Sequence, residues 1–120
     1  FLWKRRQPRY TLFPYTTLFR SQSIEMGVSM TLNELYSIIL DRREHPSEKS
    51  YTSSLFADGM DKILQKVGEE AIEVILAGKG QGKKRVIEEV ADLTYHTLVL
   101  LAASSVTPED ISRELEKRHK

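Results

Sequence analysis

Two stretches decide the fold: Lys66-Val-Gly-Glu-Glu-Ala-Ile-Glu-Val-Ile-Leu76 and Arg85-Val-Ile-Glu-Glu-Val-Ala-Asp-Leu-Thr-Tyr-His96. Each places carboxylates three residues apart, Glu70 with Glu73 and Glu89 with Asp92. At that spacing side chains share one helical face a turn apart, so two helices together present four carboxylates.

Around the first stretch the periodicity predicts one helix over about residues 54–77. Met60, Ile63, Leu64, Val67, Ala71, Val74 and Ile75 form a broad apolar face, with Lys62, Lys66, Glu69, Glu70 and Glu73 opposite. Gly59 and Gly68 lie inside it, each costing about 1 kcal/mol relative to alanine. Around the second stretch a helix is expected over about residues 83–104. Its first half carries Arg85, Glu88, Glu89, Asp92 and His96 in one arc, and its second half is apolar almost all round. A helix apolar on every side is buried on every side, which argues against a merely solvated acidic face. Gly78-Lys-Gly-Gln-Gly-Lys83 joins the two. It lacks the spacing, the following Ser or Thr and the preceding strand of a phosphate-binding loop, so it reads as a helix–helix turn.

Upstream, Thr31-Leu-Asn-Glu34 reads as a capping box opening a first helix over about residues 31–43, with Leu32, Leu35, Ile38 and Ile39 at helical spacing. His45-Pro46 ends it. Downstream, Thr107-Pro-Glu-Asp110 opens a last helix anchored by Ile111 and Leu115. No strand run occurs within residues 31–120. The expected fold is all-α: two long antiparallel helices with two shorter helices packed on them, around a core that is either self-sufficient or completed by a partner chain.

Residues 1–30 read differently. They hold Pro8 and Pro14, lack helical periodicity, and repeat Tyr10-Thr-Leu-Phe13 as Tyr15-Thr-Thr-Leu-Phe19. The expectation is a non-native or disordered leader, with Met30 a natural start and residues 31–120 the domain. A basic arm that binds a partner is the alternative. Lys4, Arg5, Arg6, Arg9 and Arg20 against Glu25 give the leader +4, and the whole-chain charge of +1 then leaves −3 for the domain. The domain therefore advertises no nucleic-acid-binding face. No apolar run approaches the about 18 residues of a membrane span. With no cysteine in its 120 residues, the chain has only oxygen and imidazole as metal ligands, and a soluble, cytoplasmic protein is expected.

Clustered carboxylates without a counter-ion repel one another, and burial disfavours their charge further. A divalent cation removes the conflict, and Mg2+ suits a few carboxylates that leave room for water and substrate phosphates. Glu69 and Glu88 stand beside the cluster as second-ion ligands or as a general base acting through a water. Lys62 and Lys66 share the acidic arc and could hold phosphates, or simply pair with neighbouring acids. His96 is more simply a hydrogen-bonded helix residue than a ligand.

The Glu70-x-x-Glu73 and Glu89-x-x-Asp92 pairs, with fifteen residues between them, resemble the signature of the all-α nucleoside-triphosphate pyrophosphohydrolases. The longer runs Lys66-Val-Gly-Glu-Glu-Ala-x-Glu-Val and Glu89-Val-Ala-Asp-Leu-x-Tyr-His96, with Ser50-Tyr-Thr52 upstream, closely resemble the phosphoribosyl-ATP pyrophosphohydrolases of histidine biosynthesis. The likeness covers about residues 31–119. It implies Mg2+-dependent hydrolysis of 1-(5-phosphoribosyl)-ATP to the monophosphate form and pyrophosphate. It also implies Glu70, Glu73, Glu89 and Asp92 as metal ligands, with Glu69 and Glu88 as second-shell or second-ion candidates. Lys62 and Lys66 become phosphate contacts, Tyr51 and Thr52 substrate-loop contacts, and a homodimer the expected assembly. The rival readings are a house-cleaning nucleoside-triphosphate pyrophosphatase and a non-enzymatic helical dimerisation module.

Overall fold

The computed structural model describes residues 29–119, all-α and without a strand among them. The leader reading falls on residues 1–30, which apart from the last two lie outside that range. The chain divides after Gly59 into two compact units.

The first unit holds α1 (Leu32–Glu44) and α2 (Tyr51–Asp58), packed on one another. The capping box forms: the Glu34 amide donates to the Thr31 hydroxyl and the Thr31 amide to the Glu34 carboxylate. That satisfies two of the donors a helix start leaves open. Leu35, Tyr36 and Ile39 are buried along one stripe of α1, and Leu55 on α2. Ser50 caps α2 by accepting from the Ser53 amide. Ser53 in turn donates its hydroxyl to the Arg42 carbonyl at 3.0 Å, tying the start of α2 to the end of α1.

The second unit holds α3 (Met60–Gly80), α4 (Lys83–Ala103) and α5 (Pro108–Arg118). The single helix expected over residues 54–77 is thus two helices, α2 and α3. Gly59 breaks them apart at φ +97°, a left-handed conformation that the absence of a Cβ permits. Gly82, at φ +91°, does the same between α3 and α4, so the two long helices form a hairpin packed along its length. Tyr95, Leu98, Val99 and Ala102 are buried on α4 and Ile63 and Ala77 on α3. Each large apolar side chain so removed from water contributes about 1.5–3 kcal/mol.

Two expectations change. On α3 the acidic arc is the buried side at Lys66, Glu70 and Glu73, while Met60, Leu64 and Ile75 of the apolar face are exposed. Periodicity separates two faces of a helix but does not say which one meets the neighbouring arm. On α5 the Thr107–Asp110 capping box forms, yet no side chain is buried, and Ile111 and Leu115 are exposed rather than anchors.

Candidate functional site

On α3 the buried residues Ile63, Lys66, Glu70, Glu73 and Ala77 recur three or four positions apart, which makes them one stripe. On α4 the buried stripe is Glu89, Asp92, Tyr95, His96 and Val99. Glu70, Glu73 and Glu89 are fully buried, and Asp92 nearly so.

The hairpin brings three of these acids together. Glu70, Glu89 and Asp92 each offer one carboxylate oxygen, and those atoms all lie within 4.8 Å of one another. Glu73, one turn beyond Glu70, is buried on the same stripe without belonging to that trio. Ionised carboxylates out of water carry a desolvation penalty of several kcal/mol each. The helices supply positive charge against it. Lys66 Nζ stands 3.2 Å from Glu69 Oε1 and 3.7 Å from Glu70 Oε2. Arg85 Nη1 stands 2.6 Å from Glu88 Oε1, and its Nη2 2.5 Å from Glu89 Oε2.

Glu69 feels these neighbours most legibly. Burial pushes its carboxyl up, but hydrogen bonds from Gln65 and Lys66 and the charges of Lys66 and Lys62 outweigh it and hold the group below its ordinary value. Gln65 Nε2 donates to Glu69 Oε2 at 2.8 Å. Lys62 is half-buried on the same helix. His96, fully buried, has Nδ1 2.8 Å from the Asp92 carbonyl oxygen. A carbonyl only accepts, so Nδ1 carries the proton and the ring is a hydrogen-bonded helix residue. Tyr51 and Thr52 belong to the first unit, where Tyr51 opens α2 half-buried and Thr52 is fully buried.

Oxygen donors of this kind suit a hard divalent cation such as Mg2+ or Mn2+. Three mutually close carboxylates on one face can converge on a single such ion, which takes oxygen ligands at about 2.1 Å and keeps room for water and substrate oxygens.

Sequence reasoning left Arg85 without a role. The signal was present: Lys66-Val-Gly-Glu-Glu-Ala-Ile-Glu73 and Arg85-Val-Ile-Glu-Glu-Val-Ala-Asp92 share one pattern, a cation, then two acids, then a third. In both helices the cation reaches the acids three and four residues on. The two arms carry the same local device.

The family model described as phosphoribosyl-ATP pyrophosphohydrolase matches residues 32–119. A phosphoribosyl-ATP pyrophosphatase of Geotalea daltonii is 53% identical over 87 residues, covering 72% of this chain and 82% of that protein. One of Clostridium acetobutylicum is 52% identical over 94 residues, covering 78% of this chain and 86% of that protein. A histidine biosynthesis bifunctional protein HisIE of Caldanaerobacter subterraneus is 48% identical over 99 residues, which make up 48% of its length. The match spans both helices of the acidic hairpin, and with it the chain belongs to the phosphoribosyl-ATP pyrophosphohydrolase family.

Proposed function

We propose that this chain hydrolyses 1-(5-phosphoribosyl)-ATP to 1-(5-phosphoribosyl)-AMP and pyrophosphate, the second step of histidine biosynthesis, in the cytoplasm and with Mg2+. The observation that carries the reading is the convergence of buried Glu70, Glu89 and Asp92 from the two arms of one hairpin, in a chain of this family. Those three would hold the cation, with Glu73 completing the set from the next turn of α3. A cation there supplies positive charge to the phosphoryl oxygens at the transition state and makes a nearby water more acidic.

The chain's own residues do the rest. Lys66 and Lys62 are the proposed contacts to phosphates that the cation does not neutralise. Glu69 and Glu88, each partly open to solvent and beside the buried acids, are the candidates to take the proton of the attacking water. Tyr51 and Thr52, which the structure places in the first turn of α2 and not in a loop, are proposed substrate contacts on the resemblance alone. The assembly is proposed to be a homodimer, supported by the exposed Leu64, Ile72 and Ile75 on α3 and Ile87 and Val90 on α4. An apolar surface of that kind ordinarily finds a partner.

Substrate identity is tested by comparing pyrophosphate release from phosphoribosyl-ATP with that from the common nucleoside triphosphates. A clear preference for phosphoribosyl-ATP supports the biosynthetic reading. A preference for the common triphosphates replaces it with the house-cleaning one.

A further inference from the structure

Arg85 bridges two acids whose surroundings differ. Glu89 is fully buried in the trio, whereas the Glu88 side chain is 31% exposed and Arg85 itself 33%. A guanidinium keeps its charge at any working pH, and its fork matches two oxygens at once. Part of the compensation for the cluster therefore comes from a side chain with solvent beside it. Lys66, at 7% exposure, has no comparable way out.

We propose that Arg85 is the displaceable counter-ion of the carboxylate cluster: it holds Glu89 until a divalent cation takes that carboxylate, then releases Glu89 while keeping Glu88. This rests on the cation site proposed above. The exchange removes one positive charge from Glu89 as two arrive, so the buried acids are never left uncompensated. Retreat is easy because the second nitrogen is already seated on the more open Glu88, 2.6 Å away. The same bond opposes cation binding, since it has to break first. Arg85 thus lets the hairpin fold before loading and weakens the affinity of the loaded state.

The decisive experiment titrates Mg2+ into the full chain carrying 13C-labelled carboxyl groups and 15N-labelled arginine, followed by NMR. The Glu89 and Asp92 carboxyl signals should shift, and the Arg85 guanidinium should change from restricted to faster rotation, with Arg113 and Arg118 unaffected. In parallel, Mn2+ affinity is measured by electron paramagnetic resonance at low salt. Arg85→Gln should bind Mn2+ about three- to tenfold more tightly than the unaltered protein, the range expected for losing one half-exposed charge-assisted bond. Lys84→Gln, which removes an equal charge from the neighbouring exposed position, should change the affinity by less than about twofold. Carboxyl shifts without any response from Arg85 overturn the proposal. So does equal or weaker Mn2+ binding by Arg85→Gln, which would make Arg85 a prop for Glu89. If no carboxyl signal responds to Mg2+, the cation site itself fails, and this inference with it. Should Arg85→Gln not fold, the titration of the unaltered protein decides alone.

Discussion

Glu70 and Asp92 lie on opposite arms of the α3–α4 hairpin, yet both are buried and present carboxylate oxygens within 4.8 Å of each other. Two negative charges so placed destabilise the metal-free protein and are the reason a cation would bind. Asp92→Asn removes one charge and keeps the shape. It should reduce Mg2+-dependent pyrophosphate release at least about a hundredfold, since several kcal/mol of transition-state stabilisation depend on a held cation. In chelator it should raise the melting temperature by about 4 °C, the shift that ~1 kcal/mol produces in a domain of this size. Glu73→Gln should also abolish the activity while leaving the assembly state unchanged. Activity assays beside thermal melts check all three.

Lys66 is buried beside Glu70, so deleting its charge strands a carboxylate that water does not reach. Lys66→Met should lower the unfolding free energy by about 3 kcal/mol, the scale for breaking a buried pair from one side. Added Mg2+ should recover part of that loss. Denaturant titrations with and without the cation measure both.

Two glycines with equally open surroundings should respond oppositely to alanine. A Cβ would meet nothing within 4 Å at Gly59 or at Gly78, but only Gly59 has a positive φ. Gly59→Ala should destabilise by about 1–2 kcal/mol through backbone strain alone. Gly78→Ala, inside α3, should stabilise by about 0.5–1 kcal/mol. Melting curves of the two variants give the comparison.

The N-terminus of α5 should be acid-sensitive. The Thr107 amide donates to Asp110 at 2.9 Å, and this bond, helped by the nearby Arg113 charge, holds the Asp110 carboxyl below its ordinary value. A depressed folded-state value means the unfolded chain takes up the proton first. The contribution is therefore complete above the unfolded value of about 3.9 and disappears as the pH falls through the lower folded one. NMR titration of the Asp110 carboxyl and of the α5 amides should show fraying that follows Asp110. Asp110→Asn should remove that pH dependence.

Much of this was legible in the chain itself. The capping residues Thr31 and Thr107 stand at true helix starts, and the three-residue spacing of the acids placed Glu70, Glu89 and Asp92 on faces that the hairpin joins. Gly59 was harder, because a glycine in a periodic run signals a lowered propensity and nothing about φ. The exposure of Leu64 and Ile75 was not readable either, since an apolar face is equally consistent with a core and with a second subunit. Arg85 was missed because a cation three and four residues before acids usually marks an ordinary surface pair, and only the burial of Glu89 makes this one different.

In the proposed function the buried carboxylates of the hairpin hold the cation that drives pyrophosphate release. That role is tested most directly by measuring pyrophosphate released from phosphoribosyl-ATP by the purified chain, with Mg2+ and in chelator. Turnover is expected with Mg2+ and is lost in chelator, returning when the cation is added back in excess. Equal turnover in chelator, or none under either condition by folded protein, would contradict it.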